Sequence, residues 1–516
     1  MLTPFRNEPL TDFAAEANRA AFEAALRAVD GEADREWPLV IGGERVATGA
    51  WIEARDPAAH GRRVGRVAKA GRSAAERALA AAEGAAAAWA AVPPDERARV
   101  LLRAASVMRR RKHELSATMV AEIGKTWPEA DADTAEAIDF CEYYAREMLR
   151  LGGPQPLAPA AGTASELLYQ PIGVGLVVSP WNFPCAIATG MVVGPVVAGN
   201  PVVFKPSSLT PVIGAKVMAV LEEAGLPPGV VGFLPGSGEE VGDCLVAHPR
   251  VRFVSFTGSR DVGVRIYAEA AKVRPGQRWL KRVVAEMGGK NAIVVDDGWA
   301  DLDAAAAGVV TSAFGFSGQK CSACSRLIAV DAIHDRLLER VVERTEALRV
   351  GSPRDPSIQM GPVAGRDQWA KVTTYIDIGR EEGRLATGGG SDDADGWYVE
   401  PTVFAEVDPK ARIAQEEIFG PVLAVVRARD FEHALEIAND TEYALTGALY
   451  ARDPLRLARA RREFQVGNLY LNRKCTGARV GVEPFGGFKM SGTNAKAGGP
   501  DYLGWFLDAK AVSEAL

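Results

Sequence analysis

The stretch GQKCSACSR at 318–326 sets two cysteines three residues apart beside a lysine, in a chain with 6 cysteines. Three chemistries fit such a pattern: half of a metal site, a dithiol redox pair, or one nucleophile with a bystander. A zinc site wants four ligands, and Cys321 and Cys324 have no second CxxC and no histidine pair at workable spacing. The histidines, His60, His113, His248, His334 and His433, lie outside the glycine- and proline-marked loops. A thioredoxin-like pair usually follows the first strand of a small domain, whereas Cys321 lies deep in a large one. The reading is therefore no metal and a single nucleophile. Cys321 follows a glycine-containing turn, where backbone amides are expected to lower its pKa toward thiolate. Cys324, one helical turn on, is expected to be buried packing.

A nucleophilic cysteine usually takes histidine as its base, and none is evident. AEMGGKN at 285–291 offers a carboxylate instead. Glu286 follows an apolar run, and Gly288-Gly289 would give it room to move. The bland alternative is a surface carboxylate.

Two further stretches suit a phosphate and a sugar. In FTGSRDVG, Gly258 and Ser259 stand between an apolar run and a helical segment, where free N–H groups and the positive dipole end favour an anion. On its own this is equally an ordinary strand-to-helix turn. In VVFKPSS, Lys205 closes a strand and could bond ribose hydroxyls, or be a solvated lysine.

These residues need a scaffold. From about residue 170, short Val- and Ile-rich runs (GVGLVVSP, PVVFKP, VVGFLPG, RFVSFTG, NAIVVDD) alternate with helical segments. Runs apolar on both faces and separated by helices indicate a parallel sheet, which binds ligands at the carboxyl ends of its strands. The tips SPWNFP, KPSS, PGSGEE and TGSRDVG are therefore the places for a site. A second alternating region spans about 290 to 470, with CSRLIAV, PTVFAEV and PVLAVVRA as strands. Residues 75 to 150 read as helices.

The bulk numbers restrict the classes. A chain of 516 residues is long enough for two or three domains. With 47% hydrophobic and 24% charged residues it reads as globular, and a net charge of -6 leaves no basic footprint for nucleic acid. The run Arg109-Arg110-Arg111-Lys112 reads as a solvated helix face. No signal-peptide core and no membrane-length apolar stretch is visible. A reducing, cytoplasmic setting with free thiols follows.

Taken in order, PWNFP, KPSS, FTGS, EMGGKN, GQKCSACSR, EEIFGPVL and PFGGFKMSG resemble the aldehyde dehydrogenase superfamily from about residue 36 onward. The resemblance implies that Cys321 attacks an aldehyde, with the alkoxide held by the Asn182 amide and the Cys321 N–H. Each such donor is typically worth ~3 kcal/mol. It implies Glu286 as the base that activates the hydrolytic water. For the cofactor it implies Lys205 on the adenosine ribose, Ser259 on the pyrophosphate, Glu417 on the nicotinamide ribose with Phe419 beside it, and Ser208, Gly238 and Gly258 in the same groove. Many NAD-preferring members carry an acidic residue where Ser208 stands, so NAD is expected with NADP as the alternative.

Within the superfamily the closest likeness is to the standalone 1-pyrroline-5-carboxylate dehydrogenases, through DTAEAIDFCEYYA, GFSGQKCSACSR and NLYLNRKCTGARVGVEPFGGFKMSGTNAKAGG. This implies oxidation of L-glutamate 5-semialdehyde to L-glutamate. The amides of Gly477 and Ala478 with the Ser322 hydroxyl would take the α-carboxylate. Phe183 and Phe485 would flank the methylenes, and Glu136 would lie near the ammonium. Plain core packing, and a solvated helix face for Glu136, are the alternatives. Another ω-semialdehyde such as succinate semialdehyde is the second substrate reading, for which a cationic side chain rather than an amide clamp is expected. A nucleotide-independent thiol hydrolase or acyltransferase is the reading from another class.

The implied fold class is α/β. A Rossmann-like cofactor domain would take 1–150 and 171–288, a catalytic α/β domain 289–470, and a small β extension 151–170 and 490–516. The extension would pair subunits in a homodimer or larger homo-oligomer, with no nucleic-acid or membrane partner.

Overall fold

The Val-rich runs become buried strands of two seven-stranded sheets in the computed structural model, which describes residues 3–516. The first sheet runs in space Arg282–Glu286, Phe253–Thr257, Gly175–Val178, Val202–Lys205, Val231–Phe233, Leu39–Ile41 and Glu44–Val46. Its members from Arg282–Glu286 to Val231–Phe233 are parallel, and the two N-terminal strands are antiparallel additions. The chain leaves Gly175–Val178 in one direction through Val202 and Val231, then returns to its other side at Phe253–Thr257. That reversal is a topological switch point, where a crevice opens beyond the strand ends.

The register fixes what faces the crevice. Lys205 lies opposite Val178, Val178 opposite Phe256, and Thr257 opposite Glu286. Lys205, Gly258 and Glu286 therefore all stand along one edge of the sheet.

The second sheet runs Arg384–Thr387, Thr402–Ala405, Val422–Ala428, Cys324–Val330, Asn291–Val295, Thr446–Tyr450 and Asn468–Leu471, parallel except for its first strand. Helices Leu302–Phe314 and Asp331–Glu346 cover one face and Phe431–Asn439 the other. Cys324 is the first residue of a central strand, so it does not lie a helical turn beyond Cys321 as the spacing had suggested. It is buried. Only Met287 to Lys290 separate the last residue of one sheet's edge strand, Glu286, from the first of the other sheet, Asn291.

The helical region resolves into Arg72–Ala91, Pro94–Arg110, Lys112–Ile123 and Trp127–Leu151. The last starts with a capping box: the Thr126 hydroxyl lies 2.9 Å from Glu129, which also accepts the Thr126 N–H at 3.3 Å. The basic run at 109–112 is solvated at Arg109 and Arg110, which are exposed, and half-buried at Arg111 and Lys112, and all four side chains are ion-paired. Arg109 pairs with Glu8 and Glu142, Arg110 and Arg111 with Glu223, and Lys112 with the buried Asp131 at 3.0 Å. Those acidic partners come from distant segments, so the local pattern could not reveal them.

Helix Glu16–Asp30 and the short strands between Glu36 and Ala68 were not anticipated. Strands Thr163–Pro171 and Leu507–Ala515 form an antiparallel ribbon with continuous register, largely exposed. Among the described residues no helix is long and apolar enough to cross a membrane. All six cysteines are free thiols.

Candidate active site

Where the two sheets meet, a cavity of about 560 Å³ reaches the turn that carries Cys321. Cys321 and Ser322 form part of its wall, with Glu286 from the sheet edge and Glu136 from helix Trp127–Leu151. Phe183, Phe485, Gly477 and Ala478 complete the set that the sequence had grouped around a substrate. Asn182 is not among the residues of this wall; it is 4% exposed and donates one amide hydrogen to the Gln319 carbonyl at 3.0 Å. Among the described residues its second amide hydrogen has no acceptor.

The turn carrying Cys321 is tightly held. Phe316 and Ser317 take left-handed backbone angles (φ 50° and 53°), which cost energy for residues with a side chain. Glu129 fixes the Phe316 N–H at 2.5 Å, and the Ser317 hydroxyl bonds the Gly361 carbonyl at 2.7 Å. The expected lowering of the thiol pKa does not occur. Burial pushes Cys321 up to about 12, and Glu417 and Glu286 add to the rise, while the Ser322 N–H opposes it. The sequence could show the amides but not the carboxylates gathered from other segments.

Glu286 is 9% exposed, and its carboxylate makes no close hydrogen bond among the described residues, the N–H groups of Ala495 and Gly487 being only weak partners. Burial raises its pKa to about 8, opposed chiefly by Lys496. Lys496 is held nearby by the carbonyls of Gly467 (2.6 Å) and Gly486 (2.8 Å). A carboxyl group buried without a close partner, its pKa raised to about 8, suits a general base.

Gly288 and Gly289 do not provide the room for Glu286 that the sequence reading gave them. The Glu417 carboxylate packs on Gly288 and accepts the Gly289 N–H at 2.8 Å. A side chain on Gly289 would stand 2.5 Å from the Cys321 carbonyl. The glycines that flank the Glu286 carboxylate are instead Gly486 and Gly492.

Along the sheet edge, Lys205 is 6% exposed, and burial lowers its pKa to about 8. Among the described residues its only bond is a long one, 3.4 Å to the Pro206 carbonyl. Ser259 occupies the N-cap of helix Arg260–Ala270, yet its hydroxyl makes no capping bond. Gly238 has nothing within 4 Å of where a side chain would begin, and the exposed Ser208 bonds the Gly236 carbonyl at 3.5 Å. Phe419, left-handed at φ 62°, packs edge-on against Trp181 with ring centroids 5.3 Å apart.

The cavity also contains groups the sequence did not single out. Lys320 and Lys474 are on its wall. Lys320 stood in the quoted motif and could have been taken with Ser322. Lys125 is fully buried, bonds Asp133 at 2.8 Å and lies 3.8 Å from the Phe183 ring centre. Asn7, Glu8 and Leu10 close the outer wall, with the Asn7 amide tied to Asp139 at 2.8 Å. Nothing local marks these, since they sit near a helix start and in a coil more than a hundred residues from Cys321.

Arg473 clarifies the Gly477–Ala478 loop. Its guanidinium bonds the carbonyls of Thr476 and Gly477, each at 3.2 Å. In a trans peptide C=O and N–H point oppositely, so the N–H groups of Gly477 and Ala478 face away from Arg473. Gly477 has φ +84°, a backbone shape that glycine adopts without penalty.

Comparison with known proteins gives a consistent result. Residues 7–512 match the aldehyde dehydrogenase family. The chain is 60% identical over 514 residues to the 1-pyrroline-5-carboxylate dehydrogenase of Geobacillus kaustophilus, covering 100% of both chains. It superposes with TM-score 0.98 and 55% identity on a Thermus 1-pyrroline-5-carboxylate dehydrogenase crystallised with bound NAD, covering 100% of each chain. Proline utilization A from Bdellovibrio bacteriovorus matches with TM-score 0.97 and 44% identity, over 99% of this chain and 53% of that one.

Proposed function

Since the chain belongs to the aldehyde dehydrogenase family, we propose that it oxidises L-glutamate 5-semialdehyde, formed from 1-pyrroline-5-carboxylate, to L-glutamate with NAD. The observation that carries the substrate is the mixed charge of one cavity. Glu136 stands on its wall with Lys320 and Lys474, so it offers both signs to an amino acid that carries both. Burial and the neighbouring Asp133 raise the Glu136 pKa to about 8, opposed by Lys125, and an arriving ammonium favours its ionised form.

The lysines depart from the expectation that an amide clamp alone would meet the carboxylate. They do not favour succinate semialdehyde, because Glu136 would face a ligand with no cation to pair with it. In a panel of semialdehydes followed by nicotinamide absorbance, kcat/KM for L-glutamate 5-semialdehyde should exceed that for succinate semialdehyde by ~100-fold, about 2.8 kcal/mol. Equal rates would sink the assignment.

The chemistry follows from the turn. The Cys321 sulfur adds to the aldehyde carbon, and the Asn182 amide with the Cys321 N–H would hold the alkoxide. When bound, NAD supplies the hydride acceptor that turns this adduct into a thioester. Glu286 takes a proton from the water that hydrolyses the thioester. The thiol's high resting pKa means that Cys321 must pass its proton to solvent water in the cavity as the substrate is engaged, with the Ser322 N–H favouring the anion.

The cofactor edge fits a dinucleotide because its polar groups are left with spare valences. The Lys205 ammonium and the Ser259 hydroxyl are nearly unbonded, and one Glu417 oxygen is taken by a single N–H. We assign Lys205 to the adenosine ribose, Ser259 to the pyrophosphate and Glu417 to the nicotinamide ribose. Ser208, Gly238 and Gly258 shape the groove, and Phe419 packs beside it. Lys205→Met should raise the KM for NAD about tenfold, near 1.4 kcal/mol, while kcat stays within twofold. A KM unchanged by this substitution would remove Lys205 from the site. Arg473→Ala should likewise raise the semialdehyde KM about tenfold without altering the KM for NAD, as checked by steady-state kinetics.

The exposed ribbon of Thr163–Pro171 and Leu507–Ala515 supports pairing between subunits, since two strands alone are marginal in water. We assign it to the oligomerisation extension of a homodimer or larger homo-oligomer, alongside a cofactor domain on the first sheet and a catalytic domain on the second. Six free thiols suit a reducing cytoplasm.

A further inference from the structure

Asn291, the first residue of strand Asn291–Val295, lies directly beneath the nucleophile turn. Its side-chain nitrogen donates to the Cys321 carbonyl at 2.7 Å and to the Ala323 carbonyl at 2.9 Å. Its side-chain oxygen accepts the Thr446 N–H at 2.9 Å. The group is 3% exposed, and each bond fixes which end of the amide points where. The Ser322 carbonyl between these two is held separately, by the Thr446 hydroxyl at 3.3 Å and the Cys475 thiol at 3.5 Å. Three successive carbonyls of the turn are thus drawn downward, away from the cavity.

A peptide unit is rigid, and its C=O and N–H point in opposite directions. Holding the Cys321 carbonyl down therefore turns the Ser322 N–H up, toward the sulfur. That N–H is the strongest influence favouring the Cys321 thiolate. The next unit differs, because the Ala323 N–H bonds the Lys320 carbonyl at 3.0 Å and does not serve the sulfur.

We propose that Asn291 is a positioning residue that aims the Ser322 N–H at the Cys321 sulfur, where it favours the anion over the thiol. This rests on the reading of Cys321 as the nucleophile. The amide is required rather than its shape alone. Asn291→Asp keeps the outline but sets a carboxylate against two carbonyl oxygens, so the 321–322 unit must rotate and take its N–H from the sulfur.

The test is the rate of Cys321 alkylation by iodoacetamide in the whole enzyme between pH 7 and 9. The other charged or titratable groups around the sulfur are Glu286, Glu417, Glu136, Lys320 and Tyr470, and all are retained. Asn291→Asp and Asn291→Ala should slow alkylation at least tenfold and shift its pH dependence upward, with NAD affinity by calorimetry within threefold of wild type. Thr446→Val, which frees the neighbouring carbonyl, should alkylate within threefold of wild type. If Asn291→Asp does not fold, Asn291→Ser, which retains one short donor, carries the same comparison with an intermediate slowing. Wild-type alkylation rates in Asn291 variants that bind NAD normally would overturn the proposal, as would equal slowing in Thr446→Val. Wild-type turnover that survives complete alkylation would instead sink the nucleophile reading itself, whatever the Asn291 variants do.

Discussion

Cys321→Ala is expected to form no NADH from L-glutamate 5-semialdehyde, a loss of at least ~10⁴-fold, because the covalent route depends on one sulfur. Nothing else on the cavity wall can replace it. Cys324 is buried at the head of a strand, and Cys475 bonds the Ser322 carbonyl from beneath. Cofactor affinity should stay within threefold, since Lys205, Ser259 and Glu417 reach the groove from other elements. Stopped-flow absorbance with calorimetry on the same preparation checks both halves. Turnover within tenfold of wild type would show that the aldehyde is not captured by this thiol.

Glu286→Gln should separate the two halves of the reaction. Acylation needs no base at that position, so one equivalent of NADH should appear per site at near the wild-type rate. Steady-state turnover should then fall by ~10²- to 10³-fold, the usual contribution of a general base, with the thioester visible by mass spectrometry of the quenched enzyme. The pH dependence has a definite sign. Burial holds the Glu286 carboxyl protonated up to about pH 8, so wild-type deacylation should rise as pH increases through that value, and the glutamine variant should lack that rise. Unchanged turnover without a burst would count against the assignment.

The parallel sheets were legible because strands buried on both faces must be written in apolar residues, as in VVFK and NAIVV. The strands near the N-terminus carry charge at exposed positions, as in Glu44–Val46 and Trp51–Arg55, and so gave no such signal. Cys321 and Glu286 stood out because each follows or precedes glycines that no core needs. What those glycines touch was not legible. Contact with Glu417 and the Cys321 carbonyl depends on segments up to about 130 residues away in the chain. Longer separations from Cys321 hid Lys125 and Asn7, and distant carboxylates with burial reversed the reading of the thiol, outweighing the local amides.

The segment from Met287 to Lys290 crosses from one sheet to the other, with the Glu417 carboxylate on its first glycine and the Cys321 carbonyl on its second. Its length therefore acts as a ruler. One added residue would lengthen the crossing by up to about 3.5 Å, roughly the whole span of a hydrogen bond, and would disengage together the roles proposed for Glu286, Glu417 and Asn291. Substitutions elsewhere on the cavity wall can retune which aldehyde is accepted, whereas an insertion or deletion in these four positions should abolish the enzyme rather than change its taste.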